Sequence, residues 1–304
     1  MASQLSFPTE IDNTIRSTFR DCQRKVRMRF LQMRSPAKPN VHLHAGGAFA
    51  AGLDRTRMAY FAEGATAEDA VAQGWAELIA VYGDFEVTDD RVNKTAHRMG
   101  QALVSYFDEY PLGIDPLEPY RPHGGKPAVE FNFALPLPIN HPETGAPILY
   151  CGRFDMLGVM NGQVFVVDEK TTSALGPSWV KRYELSAQFT GYCWAVRELG
   201  YPSAGAIVRG IGILKNEIKH VSVPLLRPQF LIDEWYDALL ADINAMIECW
   251  RTDTWRPDFN SACGGYGGCP YSGVCSSPPN VRDSLLQIDF VENRWSPLKG
   301  EGDE

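Results

Sequence analysis

A chain of 304 residues with 44% apolar and 22% charged side chains can bury a substantial core and has the make-up of an ordinary globular protein. Its net charge of −8 excludes a molecule that is basic throughout, and no apolar run approaches the roughly 20 residues of a membrane-spanning helix. Seven cysteines, an odd number, argue for metal ligation or free thiols over a disulfide framework.

The opening MASQLSFPTEID lacks the apolar core of an export signal, so a cytoplasmic location is expected. Residues 8–33 read as a helix entered at Pro8-Thr9-Glu10, with Ile11, Ile15, Phe19, Val26 and Phe30 among its apolar positions. Arg16, Arg20, Arg24 and Arg27 follow i+4 and i+3 steps along one face of it. Such a stripe either binds a phosphate backbone or is a solvated helix face.

Ser35–Asn40 breaks this helix. Helical stretches follow at 47–62, 66–82 and 88–109, separated at Gly64 and Gly83, and Tyr110–Lys126 reads as an irregular loop rich in proline and glycine. Strand-like runs then appear at Ala128–Leu137, on both sides of Asn161-Gly162, and at Ala204–Leu214. A helix over Tyr183–Leu199, stopped by Gly200, lies between the last two, and Pro228–Trp250 is long and amphipathic. A cysteine- and glycine-rich segment, 261–278, comes next, and the acidic end GEGDE reads as disordered. The order predicts an α+β (mixed α/β) fold. It has a helical region over 1–126, a core over 127–225, a long helix with the cysteine segment over 226–280, and a tail over 281–304, integrated as one domain.

The most informative segment is Cys151–Thr172, CGRFDMLGVMNGQVFVVDEKTT. Asn-Gly is a strong signal for a two-residue type I′ turn, which needs positive φ at both centres. With that turn, residue 160 pairs with 163 and, counting back, Asp155 with Asp168; Lys170 shares the face of Asp168. Directly opposed β-carbons lie about 5 Å apart, where like charges destabilise a sheet. Among Leu157, Val159, Phe165, Val166 and Val167, two carboxylates call for a cation. A divalent metal with a lysine beside it answers that need, and so does an exposed edge hairpin with Lys170 as salt-bridge partner. A preceding hairpin turning around His141–Thr144 brings Glu130 near Asp155, or leaves it as an exposed strand residue. Gln188 and Tyr192 form an i, i+4 pair able to donate to phosphate oxygens, although Tyr192 also suits a core.

Glu130, then Gly152-Arg153-Phe154-Asp155, then Asp168-Glu169-Lys170, then Gln188-x-x-x-Tyr192 resembles the PD-(D/E)XK nuclease superfamily, and within it the RecB-like branch with GxxD, DxK and QxxxY. The resemblance implies Mg²⁺ or Mn²⁺ held by Asp155, Asp168 and the backbone carbonyl of Glu169, with Glu130 adding a ligand. Lys170 would then serve the attacking water or the phosphate, Gln188 and Tyr192 would position DNA, and the arginine stripe would guide the strand in. The Glu169 side chain should point to the opposite sheet face. Cys22 before the core and Cys263, Cys269 and Cys275 after it resemble the iron–sulfur members of that branch, the AddB-type subunits and the nucleases of CRISPR adaptation. This implies a [4Fe–4S] cluster on those four thiolates. The spacing C-x5-C-x5-C departs from the family's C-x2-C-x5-C and keeps zinc as the alternative. Cys151, Cys193 and Cys249 read as buried structural thiols. Within Gly46–Asp54, Ala50 stands where the family often has a histidine, and His42 and His44 are not placed at the metal. The resemblance implies a DNA exonuclease of recombination, repair or phage DNA processing, working alone or with a single-strand annealing protein or helicase. The alternative is a catalytically inactive DNA-binding or assembly protein stabilised by iron–sulfur or zinc.

Overall fold

A computed structural model of the chain describes residues 5–37, 40–87, 92–259, 261–265 and 268–298. The N-terminal part holds β1 (Glu10–Ile11), α1 (Asn13–Asp21), α2 (Gln23–Val26), a π-helical turn at Arg27–Leu31, and β2 (Arg34–Pro36). Then come α3 (Val41–Phe61), α4 (Ala67–Tyr82), α5 (Ala96–Glu109) and β3 (Glu118–Pro119). The central part is β4 (Val129–Asn140), β5 (Pro147–Met160), β6 (Gln163–Thr172), α6 (Pro177–Lys181), α7 (Ala187–Glu198), β7 (Ser203–Ile213) and β8 (Ile218–Leu226). The chain closes with α8 (Gln229–Arg251), α9 (Ser261–Gly264), α10 (Ser272–Ser276), α11 (Arg282–Asp289) and β9 (Phe290–Glu292). The mixed α/β class agrees with the sequence expectation. No described helix is long and apolar enough to cross a membrane.

Two compact units divide the chain, each discontinuous in sequence: residues 1–39, 133–152 and 233–304 form the first, and 40–132 with 153–232 the second. In the first unit the expected helix over residues 8–33 is broken. Asp12 caps α1 by accepting from the Ile15 amide at 2.8 Å, but Cys22 is extended (φ −163°, ψ 110°) and ends it after two and a half turns. The arginine stripe therefore does not form a free basic face. Arg16 is only 2% exposed and its Nε lies 2.7 Å from Asp242 on α8, which also takes Arg20 at 2.8 Å. Arg27 pairs with Asp253 at 3.2 Å, and Arg24 lies over the Phe259 ring, 5.9 Å from its centroid. These pairs engage Arg16, Arg20 and Arg27 within the unit, and the burial of Arg16 removes it from the basic face expected from the sequence.

Residues 281–304 are also not wholly a tail. β9 pairs antiparallel with β2, Arg34 opposite Glu292, and Met28, Tyr271, Val274, Leu286 and Phe290 form a small core against which Cys269 and Cys275 pack. The GEGDE end lies outside the described residues, as do Lys38 and Pro39 of the first predicted break and residues 88–91 at the start of the predicted helix 88–109.

In the second unit α3, α4 and α5 correspond to the three predicted helices; α4 has nearly the predicted bounds, whereas α3 begins at Val41, six residues earlier, and α5 at Ala96, eight residues later. Asn40, Thr66 and Thr95 cap their N-termini through side-chain oxygens. Phe49, Leu53, Leu78, Met99, Leu103 and Tyr106 fill the space between them, together with Ile211 and Ile213 of β7. α3 crosses α4 so closely that a β-carbon on Gly74 would lie 2.5 Å from the Gly52 carbonyl oxygen; glycine is required there. β6 pairs antiparallel with β5 and parallel with β7, with α7 as the crossover. Gly200, at φ 80°, ends the crossover helix as expected. β7 continues into β8, which pairs antiparallel from Gly205–Leu226 to Ile213–Ile218. This strand was not expected from sequence; it tolerates Pro224 because it is at the sheet edge.

Candidate active site

The site lies within the second unit and begins at the predicted turn. Asn161 and Gly162 have φ of 52° and 75°, and Met160 pairs with Gln163, Val159 with Val164, through to Met156 with Val167. That register carries Asp155 to Asp168 one step further on. The Glu169 amide donates to Asp155 Oδ2 at 3.2 Å, so the Asp155 carboxylate turns onto the β6 backbone beside Asp168. Asp168 is buried, and its Oδ2 lies 2.6 Å from Lys170 Nζ. Among the described residues that oxygen accepts no hydrogen bond of regular geometry.

Two further carboxylates complete the group. Glu130, on β4, lies within electrostatic reach of Asp155, as the sequence expectation had it, and is hydrogen-bonded to Asp54. Asp54 comes from α3 and is the residue that sequence reading missed, although it closes the Gly46–Asp54 stretch at the position one turn beyond Ala50. Burial and the neighbouring carboxylates of Glu130 and Asp155 push the Asp54 carboxyl well above its usual range. Burial raises Asp168 to about 7 against the opposing Lys170 ammonium, and Asp155 adds to the rise. Asp155 is likewise raised by burial, with Glu169 contributing and Lys170 opposing. Four acidic groups so close are mutually costly unless a cation joins them.

The Glu169 side chain points the other way, as β-strand alternation requires. It is clamped by the Arg57 guanidinium, whose Nη1 lies 3.3 Å from Oε2 while Nη2 bonds Oε1, and it accepts from the Tyr106 hydroxyl at 2.7 Å. Arg209 donates to Tyr106 Oη at 3.0 Å and pairs with Asp115 at 2.7 Å. Burial would raise the Glu169 carboxyl, but Arg57 and the Tyr106 hydrogen bond bring it below its ordinary value. Arg57 is three residues after Asp54, so one turn of α3 supplies both the carboxylate beside Glu130 and the cation that pairs with Glu169.

Gln188 and Tyr192 lie on α7, with Gln188 Nε2 3.3 Å from Tyr192 Oη. The Tyr192 hydroxyl is raised by burial and then by the charge of Asp168, which puts it beside the carboxylates as well as in the core. His44 bonds the Tyr82 carbonyl oxygen at 2.8 Å and stacks on Phe85. It has a structural partner away from the carboxylates.

Hard oxygen donors of this kind suit Mg²⁺ or Mn²⁺, and the buried Asp168 carboxylate, paired on one oxygen with Lys170, is such a donor. Among the described residues, however, no three His, Cys, Asp or Glu side chains are grouped so as to hold a metal ion as they stand. The same holds for the cysteines of the first unit. There Cys22 and Cys275 are close enough to Cys269 to raise its pKa after burial does, with Lys25 opposing. The Cys269 amide donates to the Cys263 carbonyl at 2.9 Å. Cys151 and Cys193 are buried, and burial raises their thiols to about 12 and about 11, as suits inert packing; Cys249 is half-buried.

Comparison with known proteins agrees with this geometry. No curated protein matches the chain in sequence. A crystal structure of a candidate exonuclease from Eubacterium rectale is similar in fold, at 13% identity and a TM-score of 0.50, over 92% of this chain and 94% of that one. The crystal structure of SSO0001 overlaps 80% of this chain and 89% of its own at 15% identity, with a TM-score of 0.32. The PD-(D/E)XK nuclease superfamily model matches residues 14–276. With carboxylates on adjacent antiparallel strands, a lysine two residues on and a helical crossover to a parallel strand, this chain belongs to the PD-(D/E)XK nuclease superfamily.

Proposed function

We propose that the protein is a Mg²⁺- or Mn²⁺-dependent deoxyribonuclease of the RecB-like branch, acting as an exonuclease in DNA recombination, repair or phage DNA processing. The observation that carries this reading is the pairing of Asp168 with Lys170 at 2.6 Å, with the Asp155 carboxylate on the adjoining Glu169 amide at 3.2 Å and Glu130 held by Arg153, two residues before Asp155. The fold likeness to a candidate exonuclease supports it at the level of architecture.

Asp155, Asp168 and the Glu169 carbonyl would hold the metal, with Glu130 and Asp54 adding oxygen ligands. When bound, the metal supplies an acidified water and offsets charge building on the phosphate. Lys170, held at Asp168, directs an ammonium donor toward that water or a phosphate oxygen. Gln188 and Tyr192 present hydrogen-bond donors to the DNA backbone. The Arg57–Glu169 clamp on the other face holds β6 still, and so preserves the Asp155 contact with the Glu169 amide.

End-labelled single- and double-stranded DNA should be degraded in Mg²⁺ or Mn²⁺, and EDTA should stop the reaction. DNA bound but left intact under every metal condition would favour an assembly protein instead, a reading that Ala50 in place of histidine also suits.

Cys22, Cys263, Cys269 and Cys275 would hold a [4Fe–4S] cluster. The grouping of Cys22, Cys269 and Cys275 and the Cys269–Cys263 backbone bond support this. Protein purified without oxygen should be brown, and Cys269→Ala should bleach it and lower its thermal stability. Zinc without iron in the metal analysis would replace the cluster by a zinc site.

A further inference from the structure

Arg153 takes no part in the chemistry assigned above, yet it stands at the rim of the carboxylate group. It precedes Asp155 by two residues on β5, and side chains two apart on a strand share a face. Its Nε lies 2.5 Å from Glu130 Oε2, with the arginine side chain 36% exposed and the glutamate 29%.

Glu130 itself is held in an unusual state. Its φ of 50° is in the left-handed region, where a strand residue with a side chain is rarely found, and such outliers gather at functional sites. Its carboxylate is shared between Arg153 on the solvent side and Asp54 on the buried side. A half-exposed ion pair of this kind is held weakly. A divalent cation entering among the carboxylates would compete for Glu130 and release the guanidinium. Arginine offers a planar fork that matches phosphate oxygens.

We infer that Arg153 binds a DNA backbone phosphate beside the scissile bond, and that Glu130 holds it in reserve until a divalent cation takes that carboxylate. The inference rests on the nuclease reading and adds a substrate contact to it. The rival is that Arg153 only neutralises Glu130. The two differ in what they predict for DNA and for metal measured separately.

The test uses the full chain, with Mn²⁺ alone titrated calorimetrically and a labelled duplex titrated in Ca²⁺ across a series of salt concentrations. Arg153→Gln should weaken DNA binding about tenfold and reduce the slope of log affinity against log salt by about one unit, the loss of one phosphate contact. Mn²⁺ should bind the variant as tightly as wild type or tighter, because Glu130 is freed. Arg153→Lys should keep the salt slope and lose part of the affinity. In EDTA the gap between wild type and Arg153→Gln should narrow, because the guanidinium stays on Glu130. An unchanged DNA affinity and salt slope in Arg153→Gln overturns the inference, and so does weakened Mn²⁺ binding with the slope intact. If wild type binds Mn²⁺ but no DNA, the nuclease reading falls with it, and that outcome is distinct because the unmutated protein is inert.

Discussion

Asp168→Asn is expected to abolish metal-dependent cleavage while leaving a folded protein. The change keeps the shape of the side chain and removes a buried charge that sits 2.6 Å from Lys170 and within repulsive reach of Asp155. A catalytic metal contributes several kcal/mol of charge stabilisation in the transition state, and Asp168 would be one of its principal ligands. At about 1.4 kcal/mol per factor of ten, loss of that ligand should cost roughly 10³-fold or more in rate. Stability should move little, because relief of the Asp155–Asp168 repulsion opposes loss of the Lys170 pair. The measurement is single-turnover cleavage of end-labelled DNA, with a thermal melt on the same preparations. A variant that cleaves within tenfold of wild type would remove Asp168 from the mechanism.

The second large effect falls on stability. Glu169→Ala leaves the Arg57 guanidinium buried without its carboxylate and takes the acceptor from the Tyr106 hydroxyl. Breaking a buried pair from one side typically costs about 3–5 kcal/mol, a large part of the stability of a domain. Urea unfolding should show the midpoint shifting by that amount. The double variant Arg57→Met with Glu169→Leu should recover much of the loss, since removing both charges also removes the cost of burying them. A double variant no more stable than Glu169→Ala would mean that the pair is not the main constraint on β6. Alanine keeps the backbone amide that donates to Asp155, so any weakening of Mn²⁺ binding in Glu169→Ala should come only from β6 shifting once the Arg57 clamp is lost.

The hairpin that carries Asp155 and Asp168 was legible in the sequence because its causes are local. A type I′ turn depends on two adjacent residues, and once Asn161-Gly162 set the reversal, strand alternation fixed the faces of Asp155, Asp168, Glu169 and Lys170. The pair Gln188 and Tyr192 followed from helix periodicity in the same way. Helices α3, α4 and α5 were also readable, since each has its capping residue and its apolar stripe within its own span.

Tertiary structure alone decided the rest, because it depends on partners far apart in the chain. The fourth carboxylate, Asp54, is 76 positions before Glu130, and no local pattern says that α3 turns it toward β4. Arg16 and Arg20 looked like a surface stripe until Asp242, more than 220 residues away, was seen to pair with both. A sequence shows which charges are present and how they repeat along a helix or strand. Whether a charge faces solvent, an opposite charge or a like one depends on long-range packing, and the electrostatic free energy of that choice is what raised the Asp168 carboxyl and tied Arg16 to Asp242.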